Sequence, residues 1–86
     1  MYKIIYSSQA QRDAKKAGNS GIKNNIQKLI EILQKNPYQN PPPFEKLLGD
    51  LSGAYSRRIN IQHRLVYQIY EEEKIVKIIR MWTHYE

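Results

Sequence analysis

Apolar residues recur along this chain with two different periods. Ile22, Ile26, Leu29, Ile30 and Leu33 fall on one stripe at helical spacing. They predict an amphipathic helix that stops at Asn36-Pro37, because proline disfavours a helical conformation in the residue before it. Upstream, Ala10, Ala14 and Ala17 recur at i, i+4 and i+7 behind Ser7 and Ser8, both good N-caps. They predict a shorter helix with a small-residue face, broken at Gly18-Asn19-Ser20-Gly21. Period two takes over late in the chain. Leu65, Tyr67 and Ile69 alternate with polar or smaller positions, so 64–70 reads as a strand. The runs 2–6, 55–59 and 74–82 also read as strands, from their Ile and Tyr content and their turn-rich borders. A tight turn is expected at 60–63 and a polar turn at Glu71-Glu72-Glu73. Paired apolar residues in 74–82 predict burial on both faces over part of that strand.

The predicted order is β-α-α-β-β-β. Short links between the late strands imply a mostly antiparallel, twisted sheet, and the two helices form a hairpin packed on one of its faces. The fold class is α+β, with the other sheet face partly open. Residues 37–43, which include Pro37, Pro41, Pro42 and Pro43, form a stiff extended connection too short to separate domains. Eighty-six residues are expected to make one domain, 1–86.

Composition sharpens the picture through charge. Lys and Arg number 14 against 8 Asp and Glu, a net charge of +6. Such a surface attracts polyanions, because each neutralised phosphate releases counterions. Charge alone does not separate nucleic acid or an acidic protein partner from a merely solubilising surface. Seven tyrosines and one tryptophan could stack on bases, but aromatics more often serve the core. Cysteine is absent, which excludes a thiol nucleophile, a disulfide framework and a zinc-thiolate site. No apolar run suits a signal peptide or a membrane span, so a cytoplasmic location is expected.

The candidate chemistry is a set of scattered polar residues. His84, one of two histidines, directly follows the last strand, and an imidazole there suits a general acid near neutrality. Glu45 stands just after the proline run. Arg57 and Arg58 are adjacent on one strand and so point to opposite faces. Arg64 opens the next strand, and Arg80 shares parity with His84. Each has a plainer reading: Glu45 as a solvated loop carboxylate, the arginines as cross-strand charge partners, His63 as an exposed turn residue. Two distant histidines and dispersed carboxylates lack metal-ligand spacing. No metal or cofactor is expected.

In order along the chain come Pro43-Phe44-Glu45-Lys46-Leu47, Gly49-Asp50-Leu51-Ser52-Gly53, Tyr55-Ser56-Arg57-Arg58-Ile59, His63-Arg64-Leu65-Val66-Tyr67 and Thr83-His84-Tyr85. This series resembles the YoeB/Txe family of bacterial toxins, within the RelE superfamily of toxin–antitoxin systems. The similarity spans essentially the whole chain and is densest over 43–85. The resemblance implies a ribosome-dependent messenger-RNA endonuclease of the same compact fold, often a homodimer. It implies neutralisation by a cognate antitoxin of the YefM/Axe kind, and contact with operator DNA mainly through that antitoxin. By position, the family's functional carboxylate falls on Glu45, its phosphate-contacting arginine on Arg64 and its C-terminal pair on His84 and Tyr85. Lys46, Arg57, Arg58 and Arg80 are the further RNA contacts expected. Three positions depart from the pattern: Leu48 where several relatives carry lysine, Thr83 where tyrosine is common, and Glu86 beyond the usual final tyrosine.

Metal-independent ribonucleases commonly make the RNA attack itself. A base takes the proton of a 2′-hydroxyl, the oxygen attacks the adjacent phosphorus, and an acid protonates the departing 5′-oxygen. The expected roles are Glu45 as base, His84 as acid, Arg64 as clamp on the transition-state charge, and Tyr85 holding phosphate or base. A guanidinium suits the clamp because it stays charged and donates bidentately to phosphate. Two other classes stay open: a toxin of the same fold that does not cut RNA and acts on another target, as gyrase-directed members of the superfamily do, and a non-enzymatic basic module that binds nucleic acid.

Overall fold

The start of the first helix shows how local chemistry fixes the architecture. Ser7 is the cap: its Oγ accepts from the Ala10 amide at 3.0 Å, and its carbonyl accepts from the Gln11 amide at 3.0 Å. The same hydroxyl donates to the Ile79 carbonyl at 2.7 Å, so the helix begins locked to the last strand. The computed structural model describes residues 1–18 and 21–82. Along the chain these form β1 (Lys3–Tyr6), α1 (Ser8–Gly18), α2 (Lys23–Lys35), β2 (Glu45–Lys46), a 3₁₀ turn (Gly49–Leu51), β3 (Ala54–Arg58), β4 (Arg64–Tyr70) and β5 (Ile75–Arg80).

The five strands lie in the order β1-β5-β4-β3-β2. Only β1 with β5 is parallel; the other pairs are antiparallel. The helices form the crossover between the first strand and the rest of the sheet, with α1 against β1 and β5 and α2 against β1. The predicted stripe of α2 is the one buried: Ile22, Ile26, Leu29, Ile30 and Leu33 all pack into the core. They meet Leu65, Tyr67, Val76 and Ile78 from the covered sheet face. The helix ends where expected, with Asn36 extended (φ −158°, ψ 97°) ahead of Pro37. No helix among the described residues is long and apolar enough to cross a membrane.

Several expectations need correction. The chain has a strand the pattern did not reveal: β2, two residues long, pairs with the outer edge of β3. Two residues carry no period, so alternation cannot announce them. On α1, Ala14 is exposed while Asp13 is buried between Ala10 and Ala17. The Asp13 carboxylate accepts from Gln9 Nε2 at 2.8 Å and from the Met81 amide at 3.1 Å, so a polar residue does the packing of a core one. His63 is not an exposed turn residue. It is 4% exposed and stacks on Trp82 with ring centroids 4.0 Å apart. Two-sided burial of β5 holds only in part, since Val76 and Ile78 are buried but Ile75, Lys77 and Ile79 are half-buried.

Candidate active site

On the sheet face away from the helices, Glu45 and Ser56 stand side by side. Glu45 pairs with Ser56, Ser56 with Val66, and Val66 with Arg80. As far as Val66, directly paired residues project from the same face; the β4–β5 register then shifts, with Val66 opposite Arg80 but Tyr67 opposite Ile78. Three strand spacings separate Glu45 from Arg80, about 14 Å. One step along the pleat, Arg58 lies opposite Arg64. Like charges directly opposed repel, so this pair favours an anion between or above it.

Within that frame Glu45 and Arg64 meet. Arg64 Nη1 lies 3.7 Å from Glu45 Oε1 and donates to Ser56 Oγ at 3.4 Å. The Glu45 side chain is 69% exposed and the Arg64 side chain 26%. Two hollows flank the pair. One, of about 190 Å³, is lined by Pro43, Phe44, Glu45, Ser56, Arg58 and Arg64. The other, of about 220 Å³, is lined by Glu45, Leu47, Ser56 and Arg64. Each is about the size of a single phosphodiester group with part of a sugar, and both present a carboxylate and a guanidinium.

The local sequence explains the delivery of each side chain. Gly49 and Gly53 take φ of +71° and +93°, values that only glycine adopts freely, and they turn the chain from β2 back into β3. The Leu47 amide then donates to the Ala54 carbonyl at 2.9 Å, extending the pairing that holds Glu45 at the sheet edge. At the far end, the Asn60 side chain accepts from the Gln62 and His63 amides at 2.8 and 2.7 Å. That closes the turn that starts β4 at Arg64.

Not every expected residue joins the group. Arg58 lines the first hollow and is exposed; Arg80 is exposed on β5, beyond the register shift in the β4–β5 pairing. Lys46 pairs with Tyr55, a core-facing position, so alternation turns it to the opposite side from Glu45. Arg57 requires a correction. It is completely buried, with its guanidinium bonded to Tyr67 and to the carbonyls of Pro37, Gln39 and Pro42, and it is not available to RNA. Leu48, one of the expected departures from the family pattern, is 86% exposed. His84 and Tyr85 lie outside the described residues, as do Thr83 and Glu86. The residues that lead to them are anchored: Met81 through Asp13, Trp82 by stacking on His63.

Sequence reasoning missed Ser56. It is 1% exposed, and its hydroxyl sits under the Arg64 guanidinium in both hollows. Its parity with Arg58 on the same strand was the available signal.

Comparison with known proteins identifies the family. Residues 6–85 match the family described as YoeB-like toxin of bacterial type II toxin-antitoxin system. Toxin YoeB of Mycobacterium bovis is 40% identical over 60 residues, covering 70% of this chain and 68% of its own length. The heterotetrameric complex of YoeB-YefM toxin-antitoxin from Staphylococcus aureus contains a chain of 33% identity and TM-score 0.82, covering 99% of both chains. The structure of the YoeB dimer from the same organism matches with TM-score 0.80 at 32% identity, covering 98% of both chains. A match over residues 6–85, with relatives of the same fold along almost the full length, places this chain in the family of YoeB-like toxins of bacterial type II toxin–antitoxin systems.

Proposed function

We propose that this toxin is an endoribonuclease that cuts messenger RNA during translation in the cytoplasm. The observation that carries the reading is the convergence of Glu45 and Arg64, 3.7 Å apart, over a site-sized hollow that also holds Ser56 and Arg58. Glu45 takes the proton from a 2′-hydroxyl, and that oxygen attacks the neighbouring phosphorus. His84 gives a proton to the leaving 5′-oxygen, which yields a 2′,3′-cyclic phosphate and a 5′-hydroxyl. Arg64 holds the equatorial oxygens as charge builds on them. Arg58 and Arg80 bind flanking phosphates along the open face, and Tyr85 holds the reacting phosphate or a base beside His84.

Acid and base each contribute typically 10²–10⁴-fold to rate. Positioning supplies more, because an edge carboxylate this exposed needs the substrate held in a reactive pose. The ribosome serves as that holder by presenting the message stretched over the open face. A YefM-like antitoxin neutralises the toxin by covering this basic surface, and the chain forms homodimers, as the names of the Staphylococcus aureus assemblies suggest. The antitoxin carries most of the contact with operator DNA.

Primer extension on a translated message, with and without the purified chain, tests the reading. Cuts at fixed positions within codons are expected, and they should disappear when translation is blocked before the message is loaded. Growth arrest without any cuts would overturn the reading in favour of another target. No arrest and no cuts would reduce the chain to a binding module.

A further inference from the structure

We propose that Arg57 is a positioning residue that sets the place of Glu45 through the proline segment, an inference that rests on Glu45 acting as the base. Arg57 lies on β3 between Ser56 and Arg58, and its side chain leaves the strand on the opposite face from theirs. It is 0% exposed. Nε donates to the Tyr67 hydroxyl at 2.9 Å. One terminal nitrogen donates to the carbonyls of Pro37 at 3.0 Å and Gln39 at 2.9 Å, and the other donates to the carbonyl of Pro42. The guanidinium carbon sits 4.8 Å from the centre of the Phe44 ring. Glu45 is the next residue.

The chemistry of residues 37–43 explains why one cation is used this way. Four of the seven are proline, which has no amide hydrogen to offer a sheet ladder. The segment cannot build regular structure of its own, yet its carbonyls need donors when they turn inward. A planar guanidinium spreads its donors over three nitrogens and so reaches three separated carbonyls in a fixed geometry, whereas an ammonium radiates its three donors from one point. Among the described residues no carboxylate is bonded to Arg57; its hydrogen-bond partners are carbonyls and a phenol. A buried charge without a counter-ion is costly, and a core apolar residue would pack the same space without that cost. What the charge gains is a fixed path for the chain into Phe44 and Glu45. One strand therefore sets both halves of the site: Ser56 and Arg58 line it directly, while Arg57 holds the edge that brings the carboxylate across.

The test is a double-mutant cycle in single-turnover cleavage of ribosome-bound message, using Arg57→Lys, Glu45→Gln and the combination. Arg57→Lys is expected to slow cleavage about tenfold or more, with half-saturating ribosome concentration within about twofold of wild type. In the Glu45→Gln background it should cost less than about twofold, because the group it positions is already gone. An equal loss in both backgrounds overturns the proposal and makes Arg57 a structural residue only. Tyr67→Phe is the control: it removes the Nε partner but leaves the three carbonyl contacts, so it should lower thermal stability without the loss of rate. A rate loss in Tyr67→Phe matching its stability loss would also overturn it. A readout independent of cleavage is amide exchange. In Arg57→Lys the amides of Glu45 and Leu47 should lose protection while those of β4 and β5 keep it; unchanged protection overturns the proposal at any cleavage rate. Should Glu45→Gln itself cleave at the wild-type rate, the base assignment fails, and the exchange result still decides whether Arg57 sets the edge.

Discussion

Glu45 and Arg64 touch although their strands do not. β2 and β4 each pair with β3 and never with each other, yet Arg64 Nη1 and Glu45 Oε1 stand 3.7 Å apart. The contact crosses over Ser56, whose small buried side chain leaves the space between them open. An ion pair this exposed contributes about 0–1 kcal/mol to stability. Its position is better explained by what it presents to a substrate than by what it gives the fold.

Arg64→Ala should therefore separate function from folding. The expected loss of single-turnover cleavage is on the order of 10²–10³-fold, as for removal of one donor to a charged transition state. The midpoint of thermal unfolding should move by only a few degrees. Unchanged turnover with weaker ribosome binding alone would refute the clamp.

Ser56 tests the space beneath the pair. Ser56→Ala keeps that space and should leave cleavage within about threefold of wild type. Ser56→Val pushes branched bulk up between carboxylate and guanidinium and should slow cleavage at least about tenfold, with a stability cost of about 1–3 kcal/mol from overpacking. Parallel rate assays and denaturant titrations check both.

A clasp far along the sequence from the site predicts the acid limb of stability. Glu71 accepts from the Tyr2 hydroxyl at 2.7 Å and the Tyr38 hydroxyl at 2.9 Å, and from the Lys74 ammonium. The Lys74 bond first, then the two tyrosines, hold its pKa down to about 2, against about 4.3 for an ordinary glutamate. A depressed carboxylate stabilises the fold above the unfolded value and loses that contribution as pH falls through the folded one. Wild type should thus lose stability relative to Glu71→Gln between about pH 5 and pH 2, with the two curves converging at the acid end. Thermal unfolding across that range measures it.

The stack of His63 on Trp82 predicts a fourth kind of variant. Stacked aromatic pairs contribute about 0.5–1.5 kcal/mol beyond area burial. Trp82→Ala should lower stability by about 2 kcal/mol and slow cleavage more than Trp82→Phe, because the His63 stack holds the chain two residues before His84. Denaturant midpoints and single-turnover rates on the two variants decide it.

Much of the fold was legible because its periods are long enough to read. The five apolar residues from Ile22 to Leu33 repeat over three turns, and Leu65, Tyr67 and Ile69 over one strand; both sets are buried or half-buried where predicted. Strand β2 was not legible, since two residues after a run of prolines have no alternation. The Glu45–Arg64 convergence came from resemblance, not from pattern, because it depends on β3 lying between their strands. Arg57 and Arg58 were rightly split to opposite faces, but which one went inside was not drawn out. Tyr55 and Ile59 share Arg57's parity and mark the core side. What parity cannot show is the cage of proline-segment carbonyls that lets a guanidinium stay there.

In the proposed reaction the message supplies its own nucleophile at the Glu45–Arg64 hollow. A translated message with a single 2′-deoxynucleotide at an established cut site tests it most directly. Cleavage is expected to disappear at that position, while cuts elsewhere on the same message persist and end in 2′,3′-cyclic phosphate and 5′-hydroxyl. Cleavage at the deoxy position at the rate of the unmodified message would contradict it.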